Sequence, residues 1–266
     1  MRWSIWSVLG ASVAGCLLPD TSGLRGAIVD ASVPVDGGDA GTTDAAAATD
    51  APIDPCAESG LVAFYRFDET GSIAHNCGSG GAALDAVLVD ATLVPKGRGF
   101  MVSNDSGYAE VQGKHPAFAG GSFTITAWIR PVDYSNSGRI VSNRFPMGAD
   151  APTNMDSTLD AAGGNPSIGF YVTSVPALYV DSAPKLNVWS HVAGVHRAAG
   201  VNSLSEIWFD GVLVKSEVRE RDLSDTPPRI GNDRRGAGLA FRGTLDDVRI
   251  YDRALTPQEL TAQAKE

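Results

Sequence analysis

The chain has 266 residues and a formal net charge of −10, from 31 Asp and Glu against 21 Lys and Arg. So acidic a chain repels nucleic-acid phosphates, since it offers no counterion release to drive binding, and this excludes nucleic acid as an expected partner. The excess is uneven: residues 17–55 hold seven Asp and one Arg (net −6), while residues 56–266 are nearly balanced with 24 acidic and 19 basic residues.

The chain opens with MRWSIWSVLGASVAGC, in which Arg2 precedes an apolar stretch from Trp3 to Ala14. About 12 apolar residues are too few to span a bilayer as a helix, and the pattern reads as an export signal over 1–15. The ending Val13-Ala14-Gly15-Cys16 is similar to the bacterial lipobox, so Cys16 is the expected lipidation site. A multiply acylated cysteine anchors durably, because each buried CH₂ contributes about 0.8 kcal/mol. The alternative is an ordinary secretory signal cut near Ala14. Leu17 in place of Asp after the cysteine favours the outer membrane or cell surface over retention at the inner membrane.

Residues 16–55 are rich in Asp, Ala, Thr, Gly and Pro and hold no aromatic residue. Such a stretch cannot bury enough apolar surface to offset its ordering entropy, so a disordered acidic tether is expected. From Cys56 to the end the texture changes to short apolar runs bounded by turn residues. LVAFYRF (61–67), GFMVS (99–103), FTITAWIRP (123–131), GRIVSNR (138–144) and SIGFYV (167–172) read as strands, followed by VWSHVAGVH (188–196), EIWFDGVLVK (206–215) and LDDVRIYD (245–252). They carry β-branched and aromatic residues. Asp210-Gly211 between two apolar runs reads as a tight hairpin turn. Thr256-Pro257-Gln258-Glu259 is a capping box with proline at the first helical position, and starts a short helix. Strands without intervening helical periods indicate an all-β sandwich for 56–266.

These runs, in this order, resemble the laminin G-like jelly roll of the concanavalin A-like lectin/glucanase superfamily. LVAFYRFDE, FTITAWIRP, WSHVAGV, IWFDGVLV, PPRIGND and FRGTLDDVRIYDRALTPQEL carry the resemblance over nearly all of 57–264. It implies an all-β fold, an antiparallel two-sheet jelly-roll sandwich with a short C-terminal helix. Its ligand would sit on one concave face or the rim loops. It also implies a calcium site near the first and last strands, which Asp68 and Asp246 would supply. The family's Asp-x-x-Gly loop after the first strand is here His75-Asn76-Cys77-Gly78, with imidazole in place of the carboxylate.

With Cys16 taken by lipid, Cys56 and Cys77 are the only available disulfide pair, closing a loop around the first strand. No Glu-x-Asp-x-x-Glu string occurs, so the paired carboxylates of a retaining glucanase are missing and no catalytic residue is assigned. Glu206 to Gly211 comes nearest, but its Asp is in a turn. His191 and His196 lie five apart on one strand and so point to opposite faces, which suits no shared metal. Trp128, Trp189 and Trp208 sit in apolar runs and are expected in the core between sheets. Tyr134, Phe145 and Tyr179 are loop aromatics that could stack on sugars. The segment from Arg144 to Pro166 reads as a long loop, either a binding loop or an insertion. The expected function is carbohydrate binding without catalysis, on a lipid-anchored surface module. The alternatives are a structural or adhesive module that contacts proteins and, behind both, an enzyme of another type.

Overall fold

A strand shows period-two burial only when one of its faces is solvated, and the burial of these strands assigns each to its place in two layers. The structure is a computed structural model that describes residues 54–93, 99–102, 106–134, 138–143, 158–162, 167–172, 178–219, 226–234 and 238–266. These belong to one unit, Asp50–Glu266. The export segment, Cys16 and the tether up to residue 53 lie outside the described residues, as does Phe145.

The strands are β1 (Leu61–Tyr65), β2 (Ile73–Ala74), β3 (Ala86–Val89), β4 (Ala91–Leu93), β5 (Phe100–Val102), β6 (Tyr108–Val111), β7 (Phe123–Pro131) and β8 (Gly138–Ser142). Then come β9 (Thr158–Ala162), β10 (Ser167–Tyr171), β11 (Leu178–Val180), β12 (Ser190–Arg197), β13 (Leu204–Phe209), β14 (Val212–Val218), β15 (Arg229–Ile230) and β16 (Gly243–Tyr251), and the helix α1 (Pro257–Gln263). They form two sheets with antiparallel pairing throughout. The first sheet has the order β14-β13-β12-β7-β16-β5-β4, with β1 also paired to β16; the second has the order β11-β10-β9-β8-β15-β6-β3-β2. The first strand therefore pairs with the last, Phe64 opposite Arg249 and Tyr65 opposite Val248. This is the all-β jelly-roll sandwich expected from the sequence.

Between the sheets lies the main core, with Tyr65, Ile125, Ile129, Val192, Ile207 and Ile250 from the first sheet and Val111, Val141, Ile168 and Ile230 from the second. An aromatic chain fills its centre: the Phe123 ring lies 5.5 Å from Phe118 and 5.7 Å from Phe170. Gly194 makes room for that arrangement, since a Cβ there would stand 2.4 Å from the Phe170 ring. A second cluster occupies the outer face of the first sheet, where Leu61, Phe64, Ala193, Val195, Trp208 and Tyr251 meet Leu255 and Leu260. Helix α1 brings Leu260 onto that face. Its cap is the predicted box: Thr256 N donates to Glu259 Oε2 at 2.7 Å and Glu259 N to Thr256 Oγ1 at 3.3 Å. No helix among the described residues is long and apolar enough to cross a membrane.

Several sequence expectations change here. Trp128 and Trp208 are on the outer face of the first sheet, opposite His191 and Ala193, and not between the sheets. Helix α1 buries that face as well, so an apolar strand run did not by itself reveal the direction of its tryptophans. Trp189 is half-buried and precedes β12. The segment 144–166, read as a loop, contains strand β9.

Candidate functional site

Cys56 and Cys77 are joined as expected, with Cα atoms 5.3 Å apart. The loop that bears Cys77 is held by the buried side chain of Asn76. Its Oδ1 accepts from Phe64 N and Gly78 N at 2.9 and 2.8 Å, and its Nδ2 donates to Val62 O at 3.2 Å. The residue pattern that departs from the family loop is thus a hydrogen-bonding hub for the start of the sheet. His75 is turned outward, its Nδ1 2.9 Å from Asp85.

The two carboxylates expected at a calcium site have different surroundings. Asp68 is half-exposed and pairs with Arg66 at 3.1 Å. Asp246 is buried on β16, where its Oδ1 accepts from Asp247 N at 3.0 Å. Among the described residues no group of three His, Cys, Asp or Glu side chains could hold a metal ion. Calcium takes six to eight oxygen ligands, backbone carbonyls among them, so these two carboxylates would be only part of a set.

The outer faces of the two sheets differ in chemistry. On the first sheet, cross-strand pairing sets Asp246, Trp128 and His191 in one row and Arg249, Thr126 and Ala193 in the next. The Arg249 guanidinium lies 4.2 Å over the Phe64 ring and donates to Glu266 Oε2 at 2.5 Å. Burial pushes the His191 imidazole down to about 3, and the charge of Arg249 adds to the shift. The indole nitrogen of Trp128, the Thr126 hydroxyl and both His191 nitrogens are buried. The last turn of α1 closes over this area, with Thr261 Oγ1 donating to Gly211 O at 3.1 Å. His196 points to the other side, 5.7 Å from Phe123, as alternation requires.

On the second sheet, Ala109, Val111, Val141 and Ile230 point into the main core, so Tyr108, Glu110 and Arg229 point outward. Glu110 and Arg229 are directly opposite and bond at 2.5 Å, while Arg234 reaches the other oxygen of Glu110. The Arg229 guanidinium also stacks 4.0 Å over Tyr108, and its Nη1 donates to Asp233 O at 3.2 Å. Asp233 in turn accepts from Arg139 Nε at 3.3 Å, with both side chains at 5% exposure or less. Asn232 Nδ2 donates to Gly107 O at 3.4 Å and so ties the loop after β15 to the loop before β6. Three guanidinium groups against two carboxylates leave this network at net +1 on an acidic chain.

The network displays planar donors, carboxylate acceptors and an aromatic ring, the groups that recognise hydroxyl-rich ligands. Each carboxylate is held by a guanidinium. None of these residues was singled out in the sequence. The alternation in Tyr108-Ala109-Glu110-Val111 marks Glu110 as outward, but its partner lies 119 positions away. Of the loop aromatics, Tyr179 pairs with Gly169 and its carbonyl accepts from Lys215 Nζ at 2.8 Å. The Tyr134 hydroxyl is tied to Pro184 O at 2.7 Å.

A family model described as the concanavalin A-like lectin/glucanases superfamily matches residues 104–261 of this chain. No curated protein sequence matches it. Among solved structures, the Trypanosoma rangeli sialidase in complex with sialic acid is 20% identical with a TM-score of 0.58, over 79% of this chain and 33% of the sialidase. A mutant of that sialidase displaying trans-sialidase activity is 23% identical with a TM-score of 0.56, over 76% of this chain and 32% of that one. The receptor binding domain of botulinum neurotoxin C/D mosaic serotype is 12% identical with a TM-score of 0.55, over 77% of this chain and 51% of that one. This chain therefore spans about a third of the sialidases and half of the toxin domain; the likeness is one of fold.

Proposed function

The chain belongs to the concanavalin A-like lectin/glucanases superfamily, and from that membership we propose that it is a non-catalytic glycan-binding module. Its ligand contacts the outer face of the second sheet through Arg229, Glu110, Arg234 and Tyr108. The observation that carries this reading is the continuous network from Arg139 through Asp233 and Arg229 to Glu110 and Arg234. Buried side chains fix its inner end, and the Arg229, Arg234 and Glu110 side chains of its outer end keep 19–22% exposure, so the groups that reach the surface are preorganised. Residues 1–55, read as an export signal, an acylated Cys16 and a tether, would hold the module on the bacterial envelope. The sialidase and toxin neighbours lend support in fold alone.

A glycan array probed with the chain and with Arg229→Ala, each in calcium and in chelator, tests the reading. The expected result is a defined set of glycan hits that the variant loses by about tenfold or more, as removal of a charged hydrogen-bonding group predicts. A chelator-sensitive hit would draw Asp68 and Asp246 back into the site. Equal binding by the variant, or a silent array together with capture of a protein partner, would overturn the proposal in favour of an adhesive protein-binding module.

A further inference from the structure

Three strand termini meet at one end of the sandwich: β7 finishes at Pro131, and β12 and β16 begin at Ser190 and Gly243. There Val132 N donates to Arg242 O at 2.9 Å and Asn187 N to Pro131 O at 2.7 Å, which sets residues 184–188 and 241–243 beside 130–134. Residues 185–188 form a tight turn, closed by Val188 N donating to Lys185 O at 3.3 Å, with Asn187 at a φ of 61°. Asparagine tolerates the positive φ that the third position of such a turn demands, and this puts Leu186 at the tip. Val132, Leu186 and Val188 are 46–50% exposed. The turn itself asks for no aliphatic side chain at any of these positions. It is also pinned in place: Arg130 Nε donates to Asn187 O at 3.1 Å and the Tyr134 hydroxyl to Pro184 O at 2.7 Å. The apolar groups are therefore held out into solvent.

We propose that this tip docks on an anionic lipid surface, with Val132, Leu186 and Val188 in the boundary between headgroups and acyl chains and Arg130 and Lys185 against lipid phosphates. The charge around the apolar groups carries the choice of partner. On the three segments Arg130, Lys185 and Arg242 stand against Asp133 alone, a net +2 on a chain at −10. Asp133 is paired with Arg242 at 3.2 Å, which leaves the excess on Arg130 and Lys185. A surface in contact with the tip meets the charges within a screening length of about 8 Å, not the total of the chain. Interfacial binding combines apolar burial with the attraction of basic residues to anionic lipid, and both are present here at one point. Three aliphatic side chains are few for a stable protein interface, which buries about 800 Å² per partner and favours aromatic anchors. A bilayer needs no matching surface. The inference rests neither on the glycan reading nor on an acylated Cys16.

The test uses the full chain carrying Cys16→Ser, which leaves no thiol outside the Cys56–Cys77 bridge. Leu186→Cys, labelled with an environment-sensitive fluorophore, is mixed with phosphatidylcholine vesicles made with and without phosphatidylglycerol. Its emission should shift to the blue on the anionic vesicles, while the same label at Ile73→Cys, exposed on the other sheet, should not shift. Added to the chain labelled at 186, Val132→Asp should raise the lipid concentration at half-shift by about tenfold or more, and Lys185→Ala by about fivefold. Both positions are exposed, so thermal melts should stay unchanged. A label at 186 that does not shift on anionic vesicles, or that shifts equally on neutral ones or equally at 73, overturns the proposal and leaves the tip to a protein partner.

Discussion

The outer faces of the two sheets are built on the same alternation but carry opposite chemistry. The first sheet spends its outer face on a second apolar cluster, in which Trp208, Ala193 and Leu61 lie against Leu260 of helix α1. Its polar groups there, His191, Trp128 and Arg249, are sealed. The second sheet carries Tyr108, Glu110 and Arg229 on its outer face, partly exposed and cross-bonded. Where both faces of a strand are covered, side chains answer to packing; where one is left open, they can be selected for a ligand. Under the proposed function, recognition belongs to the second sheet and stability to the first.

The sharpest way to break this contrast is to remove the roof. Leu260→Ala would leave a cavity over Trp208 and Leu61 and should cost about 2–5 kcal/mol in denaturant unfolding, without weakening glycan binding by the folded fraction. A loss of binding with unchanged stability would reverse the roles of the two faces.

Opening the Cys56–Cys77 bridge comes next. Cys77→Ser should cost about 2–4 kcal/mol and raise hydrogen exchange first over 56–80, with β7 and β13 affected last. The second-sheet network is held by its own hydrogen bonds, so its exchange should follow the global value. Early loosening at Glu110 or Arg229 would show that the faces are coupled.

Acid probes the sealed groups with a smaller effect. Burial pushes both His115 and His191 down to about 3. A group whose folded pKa lies below its unfolded value of about 6.5 binds its proton mainly in the unfolded state, so stability falls as pH drops below that value. Each histidine should cost about 1 kcal/mol between pH 6.5 and 5.5. Glu259, bonded by Arg253 and lowered to about 2, adds its own loss only below its unfolded pKa near 4.5. His191→Gln should roughly halve the slope above pH 5.5; an unchanged slope would mean that His191 is hydrated and not sealed.

The layout was largely legible in the sequence, and for identifiable reasons. Runs such as FTITAWIRP and SHVAGVHR are long because their strands are central, and Asp210-Gly211 and the Thr256–Glu259 box are local chemistry. Both turn residues have positive φ, 47° and 77°, as a tight hairpin demands. The shortest strands, β2 and β15, hold two residues each and leave no periodic signal. The tryptophans misled because helix cover on the outer face makes strands look the same on both sides. The network was invisible because Arg229 and Glu110 meet only through the sheet register.

The most direct measurement is hydrogen exchange of the chain with and without a glycan identified on the array. The account predicts added protection at 107–112 and 227–234 and none at 257–263 or 204–209. Protection confined to α1 and β13, with the second-sheet segments unchanged, would contradict it.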